Sequence, residues 1–144
     1  MITFHTLSIT FRLPCRRLLK KWLASLAEAE NKRIRALSVI LCSDEELLSL
    51  NRQYLQHDYF TDVITFDYSD GDNLSGDMFI SCDTVRANAK TYRQPFDNEL
   101  RRVMAHGLLH LCGYRDATAA EQKQMRSMEN KYLAKWNHIV TDSL

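Results

Sequence analysis

The stretch HGLLHLCGYRD, residues 106–116, constrains the chain more than any other. Leu100, Val103, Met104, Gly107, Leu108 and Leu111 recur at i, i+3, i+4 spacing, so residues 96–112 read as a helix with one apolar face. Gly113 ends it, because glycine adopts the left-handed backbone that stops a helix and turns the chain sharply. At about 100° per residue, His106 and His110 fall roughly 40° apart on the flank of the apolar face. Their Cβ atoms are then about 5–6 Å apart. Cys112 points away from this row and makes a poor ligand. Asp116, just past the bend, is placed to swing back toward the two rings.

The resulting pattern H-x-x-x-H-x-x-G-x-x-D has the layout of the H-E-x-x-H-x-x-G-x-x-H zinc peptidases, with Asp in the last place. Two imidazoles reach one zinc at about 2.0–2.1 Å each; with one carboxylate they leave a fourth position for water, as catalytic zinc sites do. Two histidines four apart would by themselves fit an ordinary interfacial pair. The glycine and aspartate at these offsets favour a metal, so the predicted ligands are His106, His110 and Asp116, with one Zn2+ per chain. Zinc peptidases of this pattern place a glutamate base after the first histidine. Here that residue is Gly107, which cannot move a proton and argues against a peptidase. Proton transfer then falls to another group or to the metal itself, which can lower the pKa of water to about 7.

Around this helix the pattern is that of one α+β domain spanning 1–144. Strands are expected at 2–10, 34–42, 63–68 and 77–81, the last two forming a hairpin across the turn-rich SDGDNLSG. Helices are expected at 15–30, with Pro14 in its first turn, and from Ser43, which with Glu46 resembles a capping box. Three more are expected at about 82–93, 96–112 and 117–136, with a fraying tail after Trp136. The expected architecture is one mixed sheet of about four strands with about five helices. The metal site sits at the C-terminal end of a central helix; strand order is not determined.

A formal net charge of +1 gives no electrostatic case for nucleic acid on its own. Local basic groups such as Arg16, Arg17, Lys20 and Lys21, or Arg101 and Arg102, read as solvated faces. No run approaches the roughly 18 apolar residues of a membrane helix, and neither a membrane nor DNA is expected as a partner. The N-terminus lacks an apolar core and a cleavage site of the secretory kind. Cys15, Cys42, Cys82 and Cys112 form no C-x-x-C pair, so reduced thiols in the cytoplasm are expected.

Three segments together resemble the YbeY family of bacterial metal-dependent endoribonucleases. HGLLHLCGYRD resembles the family's H-G-x-L-H-L-x-G-Y-D-H. Residues 50–66 resemble L-N-x-x-Y-R-x-x-D-x-P-T-D-V-L-S-F through Leu50, Asn51, Tyr54, Asp58, Thr61, Asp62, Val63 and Phe66. GDMFIS resembles G-D-I-x-I-S, and Glu99 matches an acidic residue seven before the first histidine. The resemblance runs from about residue 47 to 116. It implies zinc ligation by His106 and His110, with Asp116 in the place of a third histidine. It also implies cleavage of single-stranded RNA, maturation of small-subunit ribosomal RNA, ribosome quality control, and a ribosomal subunit or protein as partner. Leu55 stands where the family has a basic residue, and Phe60 where it often has proline. Arg52, His57 and Arg115 are the candidates to replace the missing cation. Thr61 and Asp62 are expected in the cleft or in a cap, and Tyr114 beneath the metal loop. The competing reading is a non-catalytic ribosome-assembly factor with a structural metal.

Overall fold

The structure, a computed structural model, describes residues 1–56 and 61–144. The elements run β1 (Ile2–Leu7), α1 (Arg16–Ala29), β2 (Arg33–Cys42), α2 (Asp44–Tyr54), β3 (Val63–Asp67), β4 (Asn73–Ser81), α3 (Cys82–Thr91), α4 (Phe96–Leu111) and α5 (Ala119–Asp142). The sheet order is β1-β2-β4-β3; β1, β2 and β4 are parallel and β3 is antiparallel to β4. This is the expected mixed four-strand sheet with five helices. The two parallel pairings need crossovers: α1 carries the chain from β1 to β2, and α2 with β3 carries it from β2 to β4.

Alternation along the strands gives the sheet two covered faces. Leu37, Val39, Leu41, Leu74, Met78 and Ile80 belong to the main core beneath α1, α4 and α5. Cys42 and Ile64, with Phe66 and Phe79 partly buried, form a smaller cluster beneath Leu47 of α2. The register Val63↔Ile80 and Ile64↔Phe79 explains the split, since paired residues share a face. Trp22, fully buried on α1, donates from Nε1 to the Tyr132 carbonyl at 2.8 Å and meets Trp136 edge-on, tying α1 to α5.

Several expected boundaries move. β4 begins at Asn73 instead of 77, because Leu74 and Gly76 already pair with β2 at Ile34 and Leu37. Cys15, at φ 59°, is the N-cap of α1, which leaves Pro14 outside the first turn. α5 runs through Trp136 to Asp142, because Ile139 and Val140 still pack against the core. Half of the box expected at Ser43 is present: its side chain accepts from the Glu46 amide, while Glu46 Oε1 accepts from the Ser8 hydroxyl at 3.0 Å. Arg101 and Arg102 are not solvated. The Arg101 guanidinium lies 4.5 Å from the Trp136 ring centroid, and the Arg102 side chain, 17% exposed, is bound to α5.

α4 is the element that positions the site. It packs on the sheet at Gly107, where an added Cβ would lie 2.8 Å from Cε and 2.9 Å from Sδ of buried Met78. The residue after the first histidine therefore faces the core. Its small size is what lets the helix close on β4, and a glutamate there would point into packed side chains.

Candidate metal centre

Both histidines ride on the last turns of α4, whose end is closed by a Schellman motif. The Gly113 amide donates to the His110 carbonyl at 3.0 Å and the Tyr114 amide to the Leu109 carbonyl at 3.1 Å. Gly113 holds φ +107°, a conformation L side chains rarely adopt, and the chain doubles back through Asp116. Thr118 then caps α5 in a reciprocal box with Glu121, fixing the far end of the short loop.

The bend brings the three predicted ligands together. Asp116 Oδ2 lies 3.1 Å from His106 Nε2 and 3.3 Å from His110 Nε2, and the two Nε2 atoms are 2.9 Å apart. Among the described residues this is the group of His, Cys, Asp and Glu side chains whose ligand atoms converge. A tetrahedral ion with bonds of about 2.0–2.1 Å would set its ligand atoms roughly 3.3 Å apart. The observed triangle is slightly tighter, so the residues fit a metal.

The tautomers fit as well. His106 Nδ1 donates to Glu129 Oε2 at 2.7 Å, and His110 Nδ1 donates to the Tyr114 carbonyl at 2.9 Å. A carbonyl can only accept, and Glu129 is held as a carboxylate. Burial pushes its pKa up, but hydrogen bonds from His106 and Arg102 outweigh burial and hold it below the ordinary range. Both Nδ1 atoms are therefore protonated, which leaves each Nε2 lone pair for the shared point. Burial lowers the His106 pKa, but Glu129, Asp62 and Asp116 together raise it above the usual value. A positive charge, proton or metal, is favoured where the three groups meet.

Two of these supporting groups, Glu129 and Arg102, lie outside the motif and carry no signal in it. Glu129 comes from α5 and takes Arg102 at 3.0 Å on its other oxygen. It sits on the stripe of Met125, Tyr132 and Trp136, and a carboxylate interrupting a buried stripe is the one sequence feature that could have flagged it. Tyr114 is more than packing beneath the loop: its hydroxyl donates to Glu30 Oε1 at 2.6 Å, and Tyr132 binds the other oxygen of the same carboxylate.

Two clefts flank the triangle. One, about 560 Å³, lies among α3, α4 and α5 and includes Asp62, Glu99, Arg102, His106, Asp116 and Arg126. The other, about 360 Å³, lies beside β3 and includes Asn51, Leu55, Thr61 and His110. Thr61 and Asp62 thus sit at opposite clefts, and burial raises the Asp62 pKa against the opposing charge of His106. Of the candidates to replace the missing cation, Arg115 is exposed on the metal loop itself. Arg52 lies on the exposed face of α2 and lines neither cleft. His57 lies outside the described residues. Cys112 is not a ligand; burial pushes its thiol up to about 11.

A family profile described as Endoribonuclease YbeY matches residues 2–137. The Endoribonuclease YbeY of Phocaeicola vulgatus is 54% identical over 113 residues, 78% of this chain and 82% of the relative. That of Bacteroides thetaiotaomicron is 47% identical over 133 residues, 92% of this chain and 97% of the relative. A Thermotoga maritima protein of known solution structure superposes with a TM-score of 0.67 at 28% identity, covering 99% of this chain and 93% of that one. Together with the converging histidines and the sheet beneath them, these matches establish that the chain belongs to the endoribonuclease YbeY family.

Proposed function

We propose that the chain, acting as one metalloprotein domain over 1–144, is a zinc-dependent endoribonuclease specific for single-stranded RNA. The observation that carries this is an open three-ligand group. His106, His110 and Asp116 converge, yet their side chains keep 23%, 27% and 42% exposure and face two clefts. A structural zinc is closed by four protein ligands, whereas a catalytic one keeps a position free. That favours the hydrolase over the assembly factor. Gly107, turned into Met78, supplies no peptidase base.

When bound, the metal supplies Lewis-acid polarisation of a phosphoryl oxygen and acidifies water to a pKa of about 7. The chain does the rest. Glu129 and the Tyr114 carbonyl hold the two rings in the ligating tautomer. Exposed Lys123 and Arg126 line the larger cleft, Arg115 is exposed on the metal loop, and all three are suited to hold the RNA backbone. Family membership supports a role in maturing small-subunit ribosomal RNA and in ribosome quality control, in the cytoplasm, with a ribosomal subunit or protein as partner. Among the described residues no helix is long and apolar enough to cross a membrane.

Metal analysis and cleavage of a labelled single-stranded RNA test the reading together. The purified protein should carry about one zinc and cut the RNA, and His106→Ala should do neither. Equal cutting by both proteins would reject the site and leave the assembly-factor reading.

A further inference from the structure

The larger cleft contains a group that nothing in the metal centre uses. Glu99 of α4 lines it, is 4% exposed, and its carboxylate makes no hydrogen bond or ion pair among the described residues. None of its oxygens is a fully enclosed orphan, so the carboxylate's free side is the cavity. A buried carboxylate without a partner is expensive to keep. Arg102 and Arg126 offset part of that through their charge alone. Glu99 does not converge with other acidic groups on a second ion, since His106, His110 and Asp116 are the described group with metal spacing.

The rim differs from the floor. Tyr92 is 55% exposed, with the Arg126 guanidinium 6.0 Å from its ring centroid, and Lys123 stands beside them in solvent. An aromatic face flanked by cations is the composition that stacks a base and holds its phosphate. The second cleft has no Lys or Arg among its described lining residues, and Leu55 there is apolar. The RNA backbone is therefore favoured on the α3–α4–α5 side. A cavity of about 560 Å³ has room for a nucleotide.

We propose that this cavity takes one nucleotide next to the cleaved bond and selects guanine, with the Glu99 carboxylate accepting from the guanine Watson–Crick edge. This rests on the nuclease reading above. A carboxylate has two parallel acceptors and no donor. Guanine alone among the RNA bases presents two adjacent donors, N1–H and the 2-amino group. Uracil flanks its single N–H with two carbonyls that a carboxylate repels.

The test uses three labelled uridine-rich oligoribonucleotides that differ at one central position: uridine, guanosine or inosine, which lacks the 2-amino group. Binding to the zinc-loaded protein is read by fluorescence anisotropy and cleavage on gels. The guanosine strand should bind about tenfold or more tightly than the uridine strand, with inosine between them. Glu99→Gln, which exchanges one acceptor for a donor, should bring the three within about twofold of one another. Equal binding of the three strands by the wild-type protein overturns the proposal, even if the variant does not fold. Discrimination that survives Glu99→Gln also overturns it. Guanosine-selective binding without cleavage would leave the pocket standing and reject the nuclease, whereas unselective cleavage would do the reverse.

Discussion

His106 and His110 offer the same atom to the same point, yet they are held there by different means. His110 donates to the carbonyl of Tyr114, four residues on, within the turn that ends its own helix. His106 donates to Glu129, 23 residues away on α5, and that carboxylate is itself bound by Arg102. One ring is oriented by local backbone, the other by a buried ion pair that exists only when α4 and α5 dock. The difference teaches that half of the metal centre is a property of a short peptide and half is a property of the folded core.

Removing either ring should have the largest effect, and the same effect. His106→Ala or His110→Ala leaves two ligands, and zinc measured by mass spectrometry of the purified protein should fall from about one to none. The two sites separate in the next layer. Glu129→Gln should weaken zinc by about 10–100-fold, because the amide no longer fixes the His106 tautomer with a charge and turns a donor toward Arg102. The pH dependence carries the same signature. The His106 pKa is raised, so the ring stays protonated to higher pH than a free imidazole at about 6.5, and protons compete with zinc. Zinc affinity should fall as pH drops through the neutral range, and in Glu129→Gln the fall should begin at lower pH. Zinc titrations at a series of pH values read both, and an unchanged profile in the variant would deny Glu129 its role.

What the sequence reveals divides along the same line. His106, His110, Gly113 and Asp116 lie within one short stretch, and helical geometry with a glycine stop suffices to bring them together. Ser43 capping and the 63–81 hairpin are equally local and were legible. Glu129 is not legible as a partner of the site, and Asp62 and Glu99 are marked only as a cleft-or-cap residue and a family match, because nothing local specifies which faces of α4 and α5 meet. Arg102 read as solvated for the same reason: a basic residue's exposure depends on what packs over it, and here Glu129 does. Strand order likewise required knowing that β4 inserts between β2 and β3. The early start of β4 is a long-range effect too, since its first residues are extended by pairing with β2 inside what the composition marks as a turn.

The turn itself should respond less than Glu129 does. Gly113→Ala meets no atom within 4 Å of the new Cβ, so its whole penalty is the φ of +107°. That strain is about 1–3 kcal/mol. Part of it should appear as a lower melting temperature and part as weaker zinc, through displacement of Asp116. If Gly113→Ala binds zinc as well as the wild type while melting earlier, the loop reaches the metal geometry without the glycine bend.

The smallest effect is expected at Tyr114, and it isolates backbone from side chain. Tyr114→Phe removes the hydroxyl bound to Glu30 but leaves the carbonyl that holds His110. Zinc affinity should not change, and stability to denaturant should fall by about 1 kcal/mol, since Tyr132 keeps its bond to Glu30. The loss should depend on alkaline pH. The hydrogen bond to Glu30, with burial, pushes the Tyr114 pKa up to about 12, against about 10 in an unfolded chain. A raised pKa contributes stability that is complete below about pH 10 and disappears as pH climbs toward the folded value. Wild type and Tyr114→Phe should therefore differ at neutral pH and converge above pH 10. If Tyr114→Phe instead weakens zinc as much as Glu129→Gln does, the Glu30 contact is needed to hold the turn. His110, like His106, would then depend on the docked core.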